Sequence, residues 1–346
     1  MEITVAITSC GGQIIPGIID CLRSEPDHDF HIVGVDMDPN AVGRKFVDEF
    51  YTVPGGLEDE YIPRVLEIVE SETIDVVVPL SDQETRSLSK HKDEFRSVDT
   101  EVLTPDGDLV EIASDKGSML EYLDNEGVSV PEFFLPNSLT DLDSVVNKLG
   151  YPENDIVIKP RRQRAARGFW KVSEKRPTQD LVMNKKGLHT LPYEVLRELL
   201  TDGESFPDLL AMEYLDGPHY SVDSFSINGK SIYQIPIRQV EPDVGQIQVG
   251  EVEYNVEIQR KVKEIADTFE FSQNVNIDLA YTNSSSRTLL PYEINPRISG
   301  LISVNSNSGI NLLLYGILNA LDQEIPTEQN FEEIRMHRCW QEIYEY

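Results

Sequence analysis

Short apolar runs alternate with helix-like segments over the first eighty residues, and this alternation constrains the fold more than any other feature. Three runs are predicted strands: ITVAITS (3–9), HIVGVDMD (31–38) and IDVVVPLSD (74–82). Between the last two, YIPRVLEIVES (61–71) has the apolar spacing of an amphipathic helix. Apolar strands separated by helices are typical of a parallel sheet with helices packed on its faces. The sequence therefore predicts an α/β domain at the N-terminus.

Polar residues and glycines follow each predicted strand. Parallel sheets bind ligands at the carboxyl ends of their strands, so residues 9–12, 36–38 and 81–84 are candidate contacts. A nicotinamide-binding domain is one interpretation, but SCGGQIIPG lacks the G-x-G-x-x-G spacing that lets a pyrophosphate approach the backbone. The favoured interpretation is that these glycines make a tight turn from strand to helix.

Length and composition set the general class. The chain has 346 residues, enough for two or three packed units, and its hydrophobic content of 40% is that of an ordinary globular protein. It contains no run of 18 apolar residues, so no membrane-spanning helix is predicted. MEITVAITSCGG is interpreted as a first strand and not as a signal peptide. The three cysteines and six histidines show no metal-ligand spacing, and a reducing cytoplasm is the expected location.

The charge balance is strongly acidic. There are 61 acidic and 30 basic residues, which gives a net charge of −31. Such a surface repels nucleic acids and anionic membranes, so neither is an expected partner. The acidic residues are dispersed instead of forming a tail, which is what we expect of a protein that works in a very salty cytoplasm. The few basic residues are therefore more informative than usual.

One informative lysine lies in ASDKGSMLEYLDNEG (113–127). This segment predicts a helix that is capped by Ser114 or Asp115 and stops at Gly127. Lys116 then occupies the first turn, where a cation opposes the helix dipole. Lys116 is therefore better placed to meet an anion than to stabilise the helix.

A second basic segment is DIVIKPRRQRAARGFWKV (155–172). It predicts a strand ending at Lys159, a cationic loop closing at Gly168, and a returning strand. The loop contains Arg161, Arg162, Arg164 and Arg167. Two interpretations stay open: the loop is a phosphate clamp, or it pairs with the protein's own carboxylates.

The segment YEINPRISG (292–300) carries Glu293, Asn295 and Arg297 at alternate positions. In an extended strand these side chains share one face. Oxygen ligands suit a hard cation, and a guanidinium suits an anion such as phosphate. The alternative is an edge strand with polar residues facing water, which Pro296 favours.

The preceding segment NVNIDLAYTN (274–283) predicts a strand that pairs with this one through a turn at 283–286. That pairing would place Asp278 across from Glu293. Two facing carboxylates repel each other unless a cation lies between them. The pair is therefore a candidate metal site.

The order of these segments resembles the ATP-grasp enzymes, especially the branch similar to carbamoyl-phosphate synthase large-subunit domains and related carboxylate–amine ligases. SDKGSM resembles the family's Asp-Lys entry motif, and IVIKP its lysine strand. MEYLDGPHYSVD is similar to the linker that holds adenine between two lobes. NIDLA and YEINPRISG resemble the paired metal strands, and EINPR is the most specific single motif.

The resemblance covers roughly residues 1–320 and implies an α/β fold, with α+β lobes. An N-terminal parallel-sheet, Rossmann-like pre-ATP-grasp domain would be followed by a two-lobed ATP-grasp domain. The implied boundaries are 1–112 for the first domain, 113–322 for the second with its lid lobe at about 128–214, and 323–346 for a C-terminal extension.

The resemblance also implies roles for single residues. Catalytic roles fall to Lys159, Arg238 and Arg297. ATP would be bound by Lys116, Lys159, Arg164, Arg167, Gly168, Met212, Glu213, Tyr214, Leu215 and His219. Mg²⁺, with Mn²⁺ as an alternative, would be held by Asp278, Glu293 and Asn295.

Two features depart from the family pattern. The loop after the lysine strand is usually rich in Gly and Ser, so that backbone amides wrap the phosphates, whereas RRQRAARG keeps only Gly168. His219 stands where many relatives place a carboxylate that binds the ribose hydroxyls. Both departures bear on nucleotide binding more than on the metal.

The implied activity is an ATP- and Mg-dependent ligase that activates a carboxylate as an acyl phosphate for attack by an amine or another nitrogen nucleophile. Its partners would be a small-molecule carboxylate and an amine, and a homodimer is compatible with it. The alternative is a degenerate ATP-binding scaffold or regulatory protein without turnover, which the glycine-poor loop supports.

The acidic excess leads to a prediction about salt. Molar KCl should raise the melting temperature above its value at low salt, because ions screen the repulsion among the surplus acidic charges. Thermal unfolding followed by circular dichroism across a KCl series measures this. A melting temperature that is flat or falls with KCl would exclude adaptation to a salty cytoplasm.

Overall fold

The computed structural model describes residues 2–162, 167–175, 189–201, 203, 205–243, 246–282, 287–326 and 330–344. Within these ranges the strands form three sheets, which follow one another along the chain. No helix in the described ranges is both long enough and apolar enough to cross a membrane.

The first sheet, sheet A, is parallel, as the alternation of strands and helices predicts. Its described strands lie in the order β3-β2-β1-β4-β5. Their bounds are β1 (Glu2–Ile7), β2 (Asp29–Asp36), β3 (Glu49–Thr52), β4 (Val76–Val78) and β5 (Glu101–Val102). The connections are helical, namely α1 (Ile15–Arg23), a 3₁₀ turn (Val42–Lys45), α2 (Tyr61–Glu72), α3 (Asp82–Lys90) and α4 (Lys92–Arg96).

The predicted strands of sheet A run past their observed ends. The run at 74–82 contributes only Val76–Val78, and the run at 3–9 stops at Ile7. Ser9 has a φ of 49°, a left-handed conformation that extended backbone cannot contain. The chain therefore turns at the carboxyl edge of the sheet, where the polar residues lie.

A buried carboxylate ties two of these strand ends together. Glu84 Oε2 accepts hydrogen bonds from Thr8 Oγ1 at 2.7 Å, Ser9 Oγ at 2.6 Å and Ser81 Oγ at 2.7 Å. Ser81 also caps α3, because its Oγ accepts the Glu84 N–H. Burial raises the pKa of Glu84, and the three hydroxyl donors oppose that rise. Glu84 thus fixes the β1 and β4 ends relative to each other.

The second sheet, sheet B, belongs to the middle of the chain and lies in the order β6-β10-β7-β8-β9. Its strands are β6 (Phe133–Phe134), β7 (Ile156–Pro160), β8 (Trp170–Val172), β9 (Thr190–Leu191) and β10 (Leu209–Glu213). The pairs are antiparallel except β8 with β9. The accompanying helices are α5 (Gly107–Ala113), α6 (Lys116–Asn125), α7 (Leu139–Lys148) and α8 (Tyr193–Thr201).

The third sheet, sheet C, is antiparallel in the order β15-β14-β11-β12-β13-β16. Its strands are β11 (His219–Ile227), β12 (Lys230–Asp243), β13 (Gln246–Val252), β14 (Gln273–Tyr281), β15 (Leu289–Asn295) and β16 (Arg335–His337). Asn228 and Gly229 join β11 to β12 with φ values of 49° and 76°, as a two-residue hairpin requires. The helices of this region are α9 (Val256–Thr268), α10 (Ile302–Asn307) and α11 (Leu312–Ala320).

Sheet C is covered on both faces, which positions it between the other parts. Ile235 and Ile237 share a core cluster with Ile7 of β1 and with Leu313 of α11. Ile277 packs from the opposite face in a second cluster that contains residues of α6 and α9. The strands of sheet C therefore contact sheet A on one side and α6 on the other.

The Glu84 contacts lead to a stability prediction. Ser81→Ala should lower the free energy of unfolding by about 2–3 kcal/mol, because it removes a helix cap and a donor to a buried carboxylate. The matched control is Ser138→Ala, since Ser138 caps α7 by accepting the Asp141 N–H at 3.1 Å. That variant should lose only the cap, about 1 kcal/mol. Urea unfolding measures both, and equal losses would show that the bond to Glu84 contributes nothing.

Candidate functional site

Two carboxylates face each other on neighbouring strands of sheet C. Asp278 on β14 is opposite Glu293 on β15 in the strand register, as the sequence predicts. Asp278 Oδ1 is buried and has no hydrogen-bond partner among the described residues. Burial, followed by the charge of Glu293, raises the pKa of Asp278 to about 7. The pair has the charge and the unsatisfied oxygen of a cation site.

Lys116 approaches this pair from the start of α6. The helix is capped by Asp115, whose Oδ1 accepts the Gly117 and Ser118 N–H groups at 3.0 Å. Lys116 Nζ lies 3.1 Å from Glu293 Oε1, and the residue is only 6% exposed. The capped helix end thus delivers a buried ammonium to one of the two carboxylates.

Lys159 approaches from β7 of sheet B. Its Nζ donates to the backbone carbonyl of Tyr292 at 3.1 Å and lies 5.3 Å from the Tyr292 ring centroid. Burial lowers the pKa of Lys159 to about 8, although the charge of Glu293 opposes this shift. A buried ammonium whose bonding partner is a neutral carbonyl would be stabilised by an incoming anion.

The oxygen ligands fit a hard divalent cation. Asn295 is two residues after Glu293 on β15 and is opposite Asn276 in the strand register. Its Oδ1 is 3.4 Å from Arg297 Nη2. In the described ranges no three or more His, Cys, Asp or Glu side chains cluster as metal ligands, so the predicted set depends on this amide oxygen. Carboxylate and amide oxygens are the ligands that Mg²⁺ accepts, with water and phosphate completing its shell.

Arg297 links this site to sheet A. Its Nε donates to Asp82 Oδ1 at 2.6 Å, and its Nη1 donates to the Ile298 carbonyl at 3.0 Å. Asp82 is the first residue of α3, directly after the carboxyl end of β4. The candidate contacts predicted at residues 81–84 therefore lie beside the EINPR segment.

Arg238 does not lie with the other predicted catalytic residues. It pairs with Glu251 and Glu253. In the strand registers Arg238 is opposite Tyr220, whereas Asp278 is opposite the next residue, Ser221. Because neighbouring residues of a strand point to opposite faces, Arg238 and Asp278 lie on different faces of sheet C.

The segment predicted to hold adenine joins sheets B and C. Met212 is buried, and Glu213 accepts the Glu132 N–H at 2.9 Å. Lys171 Nζ lies 3.7 Å from the ring centroid of Tyr214. This segment therefore contacts both Glu132 and Lys171 of β8.

Both ring nitrogens of His219 have protein partners. Nε2 donates to the Leu215 carbonyl at 3.1 Å, which leaves Nδ1 to accept from the Tyr292 hydroxyl at 3.3 Å. Burial lowers the pKa of His219, which favours this neutral tautomer. His219 therefore connects the Leu215 backbone to Tyr292 on β15.

The arginine loop divides into two parts. Arg161 Nε donates to Asp115 Oδ1 at 2.9 Å, and Arg162 donates to Asp115 Oδ2 and to Glu111 Oε2, each at 3.0 Å. For these two arginines the second interpretation is confirmed, because they pair with the protein's own carboxylates. Arg164 lies outside the described residues, whereas Arg167 is exposed beside Gly168, whose φ is 71°.

Sequence reasoning missed several polar residues around the site. Asn276 lies two residues before Asp278, and Asp223 lies in the SVDS stretch, where both could have been found by alternate spacing along their strands. Arg338 follows β16, and its Nη2 donates to the Gly300 carbonyl at 3.1 Å. No local sequence pattern signals that contact, because it depends on β16 joining the edge of sheet C.

Known proteins match this chain in both sequence families and structure. Residues 205–341 match the family of ATP-grasp proteins in the biosynthetic pathway with Ter operon, and residues 5–103 match the PylC-like N-terminal domain. Among curated proteins none matches the sequence.

Three solved structures illustrate the structural similarity. N5-carboxyaminoimidazole synthetase from Staphylococcus aureus, solved with ADP, has a TM-score of 0.67 at 16% identity and covers 94% of this chain and 79% of its own. The biotin carboxylase domain dimer of Hydrogenobacter thermophilus 2-oxoglutarate carboxylase, with MgADP, ADP and bicarbonate, has a TM-score of 0.64 at 15% identity, covering 94% and 71%. L-amino acid ligase from Bacillus licheniformis has a TM-score of 0.64 at 18% identity, covering 92% and 74%.

At these identities the solved structures show the fold alone. The two family models match separate parts of the sequence. The parallel N-terminal sheet and the two further sheets agree with both. Residues 205–341 are therefore similar in sequence to ATP-grasp proteins, and residues 5–103 are similar to the PylC-like N-terminal domain.

Proposed function

We propose that the protein is an ATP- and Mg-dependent ligase that activates a carboxylate as an acyl phosphate for attack by an amine or another nitrogen nucleophile. One observation carries the proposal: two buried lysines from separate elements meet a cross-strand carboxylate pair. Lys116 lies 3.1 Å from Glu293, and Lys159 binds the carbonyl of the preceding residue. Cations for phosphate and oxygens for a metal are thus within one small region.

Nucleotide binding in this proposal uses the lid and the linker. The S. aureus relative was solved with ADP and the H. thermophilus relative with MgADP. Here the phosphates would lie against Lys116 and Lys159, and adenine against the Met212–Leu215 segment. The desolvated ammonium of Lys159 would gain a charged partner from a phosphate oxygen.

Asp278, Glu293 and Asn295 would hold Mg²⁺, or Mn²⁺ in its place. The unpartnered Asp278 Oδ1 and its register with Glu293 support this assignment. A bound divalent ion supplies neutralisation of the charge that builds up on the transferring phosphoryl group.

The reaction proceeds in two displacements. A substrate carboxylate oxygen attacks the γ-phosphorus of ATP, the bond to the β,γ-bridging oxygen breaks, and ADP leaves. The nitrogen nucleophile then attacks the acyl carbon of the acyl phosphate, inorganic phosphate leaves, and the nitrogen loses its proton. The chain's lysines hold phosphate oxygens in line, and Arg297 holds the anion near Asp82.

Arg338 is the candidate anchor for the substrate carboxylate. Its Nη2 donates to the Gly300 carbonyl, and its Nε is buried with no partner among the described residues. Burial lowers the pKa of Arg338. A guanidinium with a desolvated, unused N–H is suited to bind a carboxylate.

A binding protein without turnover is the second candidate. The observation that favours it is the engagement of Arg161 and Arg162 by Asp115 and Glu111, because these arginines then do not cover the phosphates. A cytoplasmic location and a homodimer belong to the leading proposal, and the H. thermophilus relative was solved as a domain dimer.

Phosphate release separates the two candidates. The ligase should release phosphate from ATP only when a carboxylate and an amine are both present, and Glu293→Gln should abolish that Mg-dependent release by removing a metal ligand. Pooled carboxylates and amines serve as substrates, and Asp27→Asn, an exposed acidic change, is the control. Tight ATP binding by the wild type with no release in any pool would favour the binding protein, and release unchanged in Glu293→Gln would refute the metal assignment.

The role of Arg338 is tested by its effect on substrate and nucleotide separately. Arg338→Ala should raise the KM for the carboxylate roughly ten- to a hundredfold, the scale of one charged hydrogen bond, and leave ATP affinity unchanged. Arg335→Ala is the matched control, since Arg335 is three residues before Arg338, at the start of β16, and pairs with Glu251 at 3.1 Å. A KM unchanged in Arg338→Ala, or a loss of ATP affinity instead, would contradict the anchor.

A further inference from the structure

A buried chain of polar side chains leads away from Asn295. Asn295 Nδ2 donates to Asn276 Oδ1 at 3.2 Å, and Asn276 Nδ2 donates to Asp223 Oδ1 at 3.0 Å. Asp223 Oδ2 accepts from Ser299 Oγ at 2.8 Å and from Asn305 Nδ2 at 2.6 Å. Asp223 is 2% exposed and Asn276 3%, so water has little access to these contacts.

The hydrogen bonds from Asn295 through Asn276 to Asp223 all run in one direction, because the carboxylate of Asp223 can only accept. An ionised carboxylate has no donor, so Asp223 requires Asn276 to present its Nδ2. The Oδ1 of Asn276 then faces Asn295, which must present its own Nδ2. The remaining group of Asn295, Oδ1, points to the side of Arg297, whose Nη2 lies 3.4 Å away.

We propose that Asp223 and Asn276 are positioning residues that hold the amide of Asn295 with its oxygen toward the metal. The inference rests on the proposed function, because it concerns the ligand set of Asp278, Glu293 and Asn295. If the Asn295 amide were rotated by about 180°, it would present its NH₂ group to the cation, and an NH₂ group cannot coordinate it. Buried partners that orient a ligand typically contribute ten- to a hundredfold to metal affinity.

The other side chains next to Asn276 and Asp223 are compatible with this positioning role. Ser221 Oγ lies 3.0 Å from Asn276 Nδ2, and a hydroxyl can accept or donate, so it opposes neither amide orientation. Ser299 belongs to the same YEINPRISG segment as Asn295, and Asn305 is on α10. Asp223 is therefore fixed by Ser299 and Asn305 through its Oδ2, and it orients Asn276 through its Oδ1.

Asp223→Asn should reverse the orientation without changing the shape of the side chain. Ser299 Oγ already accepts the Leu301 N–H at 2.9 Å, so its hydroxyl donates toward the Oδ2 position. The new amide therefore places its oxygen there and its nitrogen toward Asn276. Asn276 must then turn its oxygen toward residue 223 and its nitrogen toward Asn295. Asn295 turns in response, and the metal loses its oxygen ligand.

The double variant Asp223→Asn/Asn276→Asp should restore the native orientation. A carboxylate at position 276 accepts from the amide at position 223 and from Asn295 Nδ2, so Asn295 Oδ1 faces the metal again. The net charge of the chain is unchanged by this exchange. Restoration by a second substitution is not expected if the two residues only stabilise the core.

The control is Asn274→Asp, on the same strand and the same face. Asn274 is equally buried, and its Nδ2 donates to the Leu312 carbonyl at 3.0 Å, outside the chain of contacts from Asn295. Its substitution should lower the melting temperature without changing metal affinity. It therefore separates the effect of a buried carboxylate on stability from the effect on the metal.

The experiment measures Mn²⁺ affinity in the presence of a non-hydrolysable ATP analogue by calorimetry, with melting temperatures recorded for every variant. We expect Asp223→Asn to weaken Mn²⁺ binding ten- to a hundredfold, and the double variant to recover most of that loss. Unchanged affinity in a folded Asp223→Asn, or a double variant no better than the single one, would overturn the inference.

Two further outcomes are distinguishable. If Asp223→Asn does not fold, Asn276→Ala leaves Asp223 bonded to Ser299 and Asn305 and should still weaken Mn²⁺ binding, and unchanged affinity there overturns the inference. A wild-type protein that binds the analogue without any dependence on Mn²⁺ would overturn the proposed function itself. The positioning role of Asp223 and Asn276 alone is refuted only when the wild type binds Mn²⁺ and the variants bind it equally well.

Discussion

The repulsion between Asp278 and Glu293 is the constraint on which the rest of the site depends. Both strands are fixed by backbone pairing, so the two carboxylates cannot move apart without loss of the ladder. Lys116 offsets part of their charge from α6, and Lys159 lies close by on β7. Sheet B and α6 are therefore held against sheet C by charge as well as by apolar packing.

The first sheet takes part in this arrangement through a single ion pair. Asp82 starts α3 directly after the N-cap residue Ser81, and Arg297 binds Asp82 at 2.6 Å. Because the side chains of Asp82 and Arg297 are 24% and 16% exposed, breaking the pair would leave two poorly hydrated charges. The ends of β1 and β4 therefore help to fix the guanidinium that follows β15. The parallel sheet is thus a support of the candidate site as well as a separate layer.

How far the sequence predicts this structure depends on whether a feature is local. The parallel sheet and the register of Asp278 with Glu293 follow from apolar runs and turn residues, and both are confirmed. The face of Arg238 was not predictable in the same way. Its direction depends on the pairing of three strands, and the motif resemblance does not include Glu251 and Glu253 as partners.

The arginine loop is a second feature whose contacts local sequence does not predict. Its composition predicts an anion site, yet Arg161 and Arg162 are bound by Asp115 and Glu111, which are about fifty residues away in the sequence. For Glu111, burial raises the pKa, but the bonds from Arg86, Lys90 and Arg162 outweigh burial and lower it to about 2. In a chain with twice as many acidic as basic residues, a basic cluster finds internal partners easily. Cationic composition alone therefore does not identify a ligand site.

The same excess of acidic groups makes cations without carboxylate partners informative. Among the described residues, Lys159 and Arg338 are the two buried or half-buried cations that have no carboxylate within ion-pair distance. Both bind backbone carbonyls instead, Lys159 at Tyr292 and Arg338 at Gly300, the two ends of the YEINPRISG segment. A carbonyl offsets much less of the desolvation cost of a cation than a carboxylate does. The chain therefore keeps two under-neutralised positive charges at the two ends of this segment. In the proposed function a phosphate would pair with one of them and a substrate carboxylate with the other.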